Sequence, residues 1–199
     1  MNIEHFIAKV LSISRIGLKF SKDPYALENY QELETLALHQ LDELYHLPEE
    51  EHPYQRDIYP TPNISVRVII FNDQKQLLMV QERDDQKYAV PGGWCDIFES
   101  AKENALKEVK QETNLDVRID RVLAILRRDI YKTHPSLISE YVIYFSATIL
   151  KGELAHNHEI LSLDFYDLDK LPEFSRKMTS IELHKALNVY LNNEEVIFD

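Results

Sequence analysis

Apolar residues in the first part of the chain recur every three or four positions, which is the spacing of a helix face. The first such stretch predicts a helix that ends near Gly17, with an apolar side formed by Phe6, Ile7, Val10 and Leu11. A second helix begins with Asp23 as its N-cap and Pro24 in its first turn. Two helices bury too little apolar surface to be stable alone. We therefore expect them to pack either on the rest of the chain or on a second copy of it.

A connector rich in proline and charge, residues 47–63, separates these helices from a part of the chain with strand-like patterns. We predict a helical N-terminal domain with its connector over residues 1–60, and a second domain over residues 61–199. Apolar and β-branched runs predict strands over residues 64–71, 76–83, 117–130, 140–150 and 161–168. The first two, joined by the turn "NDQKQ", are predicted to form a hairpin. Helices over residues 101–113 and 180–191 complete an α+β fold.

The charge balance limits the class of partner. The chain carries 34 acidic and 22 basic residues, a net charge of −12, so a nucleic acid partner is not expected. A small anionic substrate remains compatible if divalent cations lie between the two sets of negative charge. The chain has no apolar run long enough for a membrane span and one cysteine, Cys95, so we expect a cytoplasmic protein with no membrane association.

The helix predicted over residues 101–113 carries two glutamates in an unusual place. Ser100 and Glu103 form a capping-box signature, which sets the start of the helix. Glu108 and Glu112 then fall on the same side as Ala105, which belongs to the apolar stripe. Two like charges four residues apart repel, and burying them costs more. Either a cation lies between them, or both carboxylates lie at the edge of the stripe and point into solvent.

The residues around these glutamates follow a long gapped pattern. Gly93 is followed at the sixth position by Glu99, then by "KEV" at 107–109, "QE" at 111–112 and Leu115. This resembles the Nudix box. The helical leader, the "PGGWCD" before the box and the late "LPEFS" are similar to a bacterial Nudix subfamily with a helical N-terminal domain. The resemblance implies an α/β/α sandwich with a mixed sheet, preceded by that domain.

The resemblance also implies an activity. Nudix hydrolases use Mg²⁺ or Mn²⁺ to direct water at a phosphorus of a phosphoanhydride. Members of this subfamily split nucleoside diphosphates linked to another group, such as CDP-choline, UDP-linked compounds or ADP-ribose, into a nucleoside monophosphate and a phosphorylated remainder. We expect a small nucleotide-derived substrate and, from the helical leader, a homodimer.

Roles carry over to this chain by position in the motif. Glu108 and Glu112 would be metal ligands together with the main-chain carbonyl of Gly93, and either glutamate could help to deprotonate the attacking water. Glu99 would pair with Lys107, which replaces the arginine of the pattern, while Gly92 supports the turn before the box. Asn114 replaces the closing glycine, a tolerated exchange at a left-handed helix end.

One departure from the pattern touches the metal site. Gln111 replaces a glutamate that commonly binds metal, and its amide oxygen could still coordinate but brings no charge. Glu159, before a late strand, could compensate as a base or ligand, or be an ordinary loop glutamate. The exchange at Gln111 leaves open an alternative function, in which a Nudix-like domain binds a nucleotide as a sensor with little or no catalysis.

Substrate contacts are the least specific part of the sequence. Arg67 on the first strand, and Arg127 or Arg128 on a later strand, are candidates to bind phosphate, because guanidinium groups match phosphate oxygens. Each of them could equally be a surface charge. Tyr88 could stack on a base or pack beside the glycine turn.

Overall fold

A computed structural model of the chain describes residues 3–45, 62–132 and 140–199. The chain divides into two compact units, Met1–Pro60 and Thr61–Asp199. Residues 46–61, which include most of the predicted connector over 47–63, lie outside the described residues. None of the described helices combines the length and the apolar character needed to span a membrane.

The first unit contains two helices, α1 (Ile3–Phe20) and α2 (Pro24–Tyr45). They pack through four buried apolar residues, Ile7, Leu11, Ala37 and Leu41. Asp23 caps α2 as predicted, because its Oδ1 accepts a hydrogen bond from the Tyr25 amide at 3.0 Å. The predicted end of α1 near Gly17 was wrong. A Cβ on Gly17 would lie 2.4 Å from the Tyr30 ring, so this glycine permits close packing of the two helices instead of ending one.

The second unit contains seven strands and two helices among the described residues. The strands are β1 (Asn63–Ile70), β2 (Leu77–Glu82), β3 (Tyr88–Ala89), β4 (Asp116–Arg127), β5 (Glu140–Lys151), β6 (Ile160–Tyr166) and β7 (Ile197–Phe198). The helices are α3 (Ala101–Thr113) and α4 (Ser180–Leu191). One sheet has the order β1-β5-β4-β7, with β1 parallel and β4 antiparallel to β5. The other sheet has the order β3-β2-β6 and is antiparallel.

The predicted hairpin of the first two strands is wrong. The turn between them forms, with the Asn72 side chain accepting a hydrogen bond from the Gln76 amide at 2.9 Å, but only a single bridge joins Phe71 to Leu77. Beyond that bridge β1 pairs with β5, and β2 pairs with β3 and β6. Residues 65–70 of β1 are all buried. A strand with both faces buried needs cover on each side, which a two-stranded hairpin does not provide.

Two helices cover opposite sides of the strands. Ala105 and Val109 of α3 pack with β1 residues such as Val68, in a core that also contains parts of β4 and β5. Leu183 and Leu187 of α4 belong to the other core, together with further residues of β1, β2, β4 and β5. The result is the predicted α+β fold with a mixed sheet between helices. Two further details differ from the prediction: residues 128–130 form a 3₁₀ turn instead of continuing β4, and β7 had not been predicted.

Candidate active site

Helix α3 is fixed at both ends by its own sequence. At the start, the Ser100 amide donates to Glu103 Oε2 at 2.7 Å and Ser100 Oγ accepts from the Glu103 amide at 3.2 Å, which confirms the capping box. At the end, Asn114 adopts the left-handed conformation with φ of 60° and its amide donates to the Lys110 carbonyl at 3.0 Å. The helix register, and with it the direction of Glu108 and Glu112, is therefore set locally.

Glu112 is buried, with 2% of its surface exposed. Its Oε2 accepts a hydrogen bond from the Gly92 amide at 2.9 Å. Burial raises the pKa of Glu112 to about 8, and the negative charges of Glu108 and Glu82 add to the rise, against the opposing effects of Arg67 and the Gly92 hydrogen bond. The positive charge around this carboxyl group is therefore too small to offset the cost of burying its ionised form.

Glu108 lies one turn earlier on the same side of α3 and is half-buried. A Cβ on Gly93 would lie 2.5 Å from Glu108 Oε1, so the glycine main chain runs directly against this carboxylate. Burial raises the pKa of Glu108; the charge of Arg67 opposes that rise and the charge of Glu159 adds to it. The structure thus brings the predicted loop glutamate, Glu159, within electrostatic reach of Glu108, while leaving Glu159 exposed.

The two glycines have separate structural requirements. Gly92 has φ of +144°, and a Cβ there would lie 2.1 Å from the Val66 carbonyl oxygen, so no other residue fits. The Gly93 carbonyl, the predicted metal ligand, accepts a hydrogen bond from the Val66 amide at 2.9 Å. A carbonyl oxygen has two lone pairs, so this bond leaves one available.

Arg67, on β1, is buried, with 3% of its surface exposed. Its two terminal nitrogens donate to main-chain carbonyls, those of Gly92 and, at 3.2 Å, Lys177. Its charge lowers the pKa of both Glu108 and Glu112. These contacts favour a role in offsetting the buried carboxylates over the predicted contact with substrate phosphate.

A third carboxylate, also buried, belongs to this site and was missed by sequence reasoning. Glu82, at the end of β2, is 2% exposed. Its Oε2 lies 2.6 Å from Lys177 Nζ, while its Oε1 is buried without a hydrogen-bond partner among the described residues. A glutamate closing the apolar run "LLMVQE" was a signal that could have been used. Lys177 gave none, because its position depends on contacts across the fold.

Three acidic and two cationic side chains therefore form what we call the carboxylate cluster: Glu82, Glu108, Glu112, Arg67 and Lys177. The cluster contains three potential negative charges and two positive charges in a largely buried place. Such an excess is costly unless a proton or a cation is bound.

The remaining box residues lie along α3 and its approach. Lys107 Nζ contacts Glu99 Oε2 at 3.0 Å, its expected partner, and it also contacts Asp96, which the sequence had not indicated. A lysine thus replaces the arginine of the pattern by joining two carboxylates instead of pairing with one through two prongs. Gln111 lies exposed on α3, one turn after Glu108.

The other predicted substrate residues lie in different surroundings. Arg128 is buried and donates to Glu140 at 2.9 Å, to Glu182 at 3.3 Å and to the Arg176 carbonyl at 3.0 Å. All three of its nitrogens are thus occupied, which favours a structural role over the predicted phosphate contact. Arg127 is exposed at the end of β4, where its amide donates to Asp199 at 3.0 Å.

Tyr88 takes part in packing. Its ring lies edge-on to that of Tyr166, with the centroids 5.5 Å apart, and it contacts the core beneath α4.

Cys95 is half-buried, and burial together with the nearby Glu108 charge raises the pKa of its thiol to about 11. A thiol in that state is a poor nucleophile.

The donor set fits a hard divalent cation. Glu108, Glu112 and the Gly93 carbonyl supply oxygen ligands, which Mg²⁺ and Mn²⁺ prefer, and the carboxylate cluster has the negative charge to hold one. Within the described ranges, no group of three or more His, Cys, Asp or Glu side chains is close enough to enclose an ion by itself. The fit is therefore to an ion that completes its coordination with water and substrate oxygens, as Mg²⁺ commonly does.

Comparison with known proteins gives two family matches. Residues 61–187 match the NUDIX domain, and residues 4–51 match a UDP-X-like, N-terminal oligomerisation domain. The chain is 30% identical over 199 residues to the Bacillus subtilis (strain 168) protein named "Putative ADP-ribose pyrophosphatase YjhB". That alignment covers 96% of this chain and 94% of the relative.

Solved structures give similar results. The structure of a UDP-X diphosphatase has a TM-score of 0.67 and 28% identity, and the match covers 98% of this chain and 96% of that one. An ADP-ribose pyrophosphatase from Streptococcus suis has a TM-score of 0.60 and 37% identity, covering 70% of this chain and 100% of that one.

Proposed function

Because the chain belongs to the Nudix hydrolase family, we propose that it cleaves the phosphoanhydride bond of nucleoside diphosphates linked to a second group, such as ADP-ribose or UDP-linked compounds. The products are a nucleoside monophosphate and the phosphorylated second group. The observation that carries the proposal is the position of the half-buried Glu108 and the buried Glu112 on one side of α3, against Gly93 and Gly92. The names of the relatives support the choice of substrate class.

Each site residue has a proposed task. Glu108, Glu112 and the Gly93 carbonyl hold Mg²⁺ or Mn²⁺, with Gln111 as a further weak ligand at the exposed side of the helix. When bound, the cation lowers the pKa of a coordinated water and offsets charge on the phosphates. The charge of Arg67 partly offsets the repulsion between these glutamates.

We assign Glu159 as the first candidate to accept the proton of the attacking water. It is exposed and near Glu108, so a substrate and a water molecule can reach it. Glu108 and Glu112 remain the other two candidates, and substitution of each by glutamine distinguishes them. Substitution of the general base should lower kcat and leave the cation affinity close to that of the wild type.

Residues 1–60 are proposed to form a homodimer. The family model that matches residues 4–51 is described as an oligomerisation domain. Helix α1 also exposes a stripe of large apolar side chains, of which Ile13, Ile16 and Phe20 are each more than half exposed.

Because the chain has a single cysteine, Cys95, we propose that the protein works in a reducing cytoplasm.

The test is hydrolysis of a panel that contains CDP-choline, UDP-sugars, ADP-ribose and a nucleoside triphosphate, each with Mg²⁺, Mn²⁺ or EDTA. We expect turnover of a diphosphate-linked substrate that requires the cation and falls about a hundredfold or more in Glu112→Gln. Glu153→Gln, an exposed loop residue, is the matched control and should retain activity. Turnover in EDTA would contradict the proposal, and nucleotide binding without turnover would establish the sensor alternative.

A further inference from the structure

The segment 173–177, between β6 and α4, is fastened to the strand that leads into the glycine turn. The Tyr88 amide donates to the Glu173 carbonyl at 2.9 Å, and the Ser175 amide donates to the Tyr88 carbonyl at 2.7 Å. The Ser175 hydroxyl also donates to Asp85 at 2.8 Å. This series of bonds fixes the main chain of a loop that would otherwise be free to vary.

The residue that this segment delivers to the site is Lys177. Its main-chain carbonyl accepts from Arg67 at 3.2 Å, and its ammonium lies 2.6 Å from Glu82 Oε2. Its charge also lowers the pKa of Glu108, so the ammonium lies within electrostatic reach of that carboxylate. The side chain of Lys177 is 39% exposed, whereas that of Glu82 is 2% exposed.

The two partners of this ion pair therefore differ in burial. Glu82 contacts the ammonium from the protein interior, and part of the lysine side chain faces solvent. An ammonium group has three donors, of which Glu82 takes one. Arg67, the other cationic side chain of the carboxylate cluster, is buried, and its terminal nitrogens donate to carbonyls. Lys177 is thus the cationic side chain of the cluster that an incoming anion can reach.

We propose that Lys177 binds a phosphate oxygen of the substrate and that Glu82 is a positioning residue that holds the ammonium in place. The inference rests on the proposed function, because it names a contact for the diphosphate that is cleaved there. A charged hydrogen bond from this ammonium offsets the repulsion between the phosphates and the glutamates of the cluster. The competing explanation is that Lys177 merely neutralises Glu82.

Four variants separate these explanations: Lys177→Met, Lys177→Arg, Glu82→Gln and the double variant Glu82→Gln/Lys177→Met. We expect Lys177→Met to raise the KM for the substrate that the wild type hydrolyses by about tenfold or more, the loss typical of one charged hydrogen bond. Arginine should recover most of that loss, and Glu82→Gln should raise KM less. Lys170→Met, in the same loop but paired with Asp167, is the matched control.

The double variant decides the result, because it removes both charges at once. If Lys177 binds phosphate, KM stays raised in the double variant even where the melting temperature recovers. If Lys177 only neutralises Glu82, KM returns to the wild-type value, and the inference is overturned. A KM in Lys177→Met within about twofold of the wild type overturns it as well. Failure of the proposed function looks different: the wild type itself hydrolyses no member of the panel, and both ideas fall together.

Discussion

Glu112 is an acid whose folded-state pKa of about 8 lies above its ordinary value of 4.5. The folded protein therefore holds this proton more tightly than the unfolded chain does. The stability that this proton contributes is complete below pH 4.5 and is lost as the pH rises through about 8. In EDTA, we expect the melting temperature of the wild type to decline over this window.

Substitution of Glu112 by glutamine tests this explanation. Glutamine keeps an acceptor for the Gly92 amide and cannot ionise, so the variant should melt about 4 °C or more above the wild type at high pH in EDTA, with a smaller difference at low pH. Thermal unfolding across the pH range measures this, with Glu153→Gln as the control. Parallel curves for wild type and Glu112→Gln would show that this carboxyl does not set the pH dependence.

Gln111 provides a second test at the scale of one residue. It lies exposed one turn after Glu108, so a carboxylate there adds charge at the open side of the proposed cation site. We expect Gln111→Glu to lower the Mn²⁺ concentration that gives half-maximal turnover by about three- to tenfold. Gln74→Glu makes the same change of charge in an exposed turn and should have no such effect. An unchanged requirement for Mn²⁺ would remove Gln111 from the list of ligands.

The sequence located part of this site and missed the rest for a physical reason. Glu108 and Glu112 were visible because a single helix carries both of them and a capping box fixes its register. Glu82 and Lys177 lie on a strand and a loop that are distant in the sequence, and only tertiary packing brings them together. Arg128 shows the same limit, since its buried ion pair with Glu140, twelve residues away, cannot be recognised from the sequence "RRD".

At the scale of elements, the glycine turn before α3 makes two different demands. Alanine at Gly92 would require a positive φ and a contact of 2.1 Å with the Val66 carbonyl, so we expect Gly92→Ala to lower the free energy of unfolding by about 2 kcal/mol or more. Alanine at Gly93 meets Glu108 Oε1 at 2.5 Å, and that side chain can move.

Gly93→Ala should therefore retain most of its stability while turnover falls about tenfold or more. Denaturant unfolding and steady-state kinetics on both variants measure the two effects separately. Equal losses of stability in the two variants would contradict this division, as would full activity in Gly93→Ala.

The elements themselves were predictable where local signals were strong. The range of α4 was predicted correctly from its pattern, and Asp23 correctly marked the start of α2. The pairing of β1 was not predictable in the same way. A turn that looks like a hairpin forms between β1 and β2, but the burial of both faces of β1 commits it to β5 instead. Pairing partners depend on what covers each face, and that information is spread over the whole unit.

For the whole molecule, the proposed dimer has a direct test. Ile13→Glu/Ile16→Glu places charge in the exposed apolar stripe of α1, and we expect sedimentation to change from a dimer to a monomer at micromolar concentration. Leu191→Glu, at an exposed apolar residue that ends α4, is the control and should remain dimeric. If the wild type sediments as a monomer and the double variant only melts earlier, the stripe packs within one chain.

The two hydrogen bonds of Arg67 have a consequence for folding. One reaches Gly92, 25 residues further along the chain, and the other reaches Lys177, 110 residues further. Contacts of such high sequence separation form slowly, because a long loop must close before they stabilise anything. The helix that carries Glu108 and Glu112 can form early from local signals. Its glutamates acquire their buried surroundings only when the segment 173–177, which carries Lys177, packs on Arg67. Recovery of turnover during refolding would thus follow the completion of the whole second unit, well after helical structure has returned.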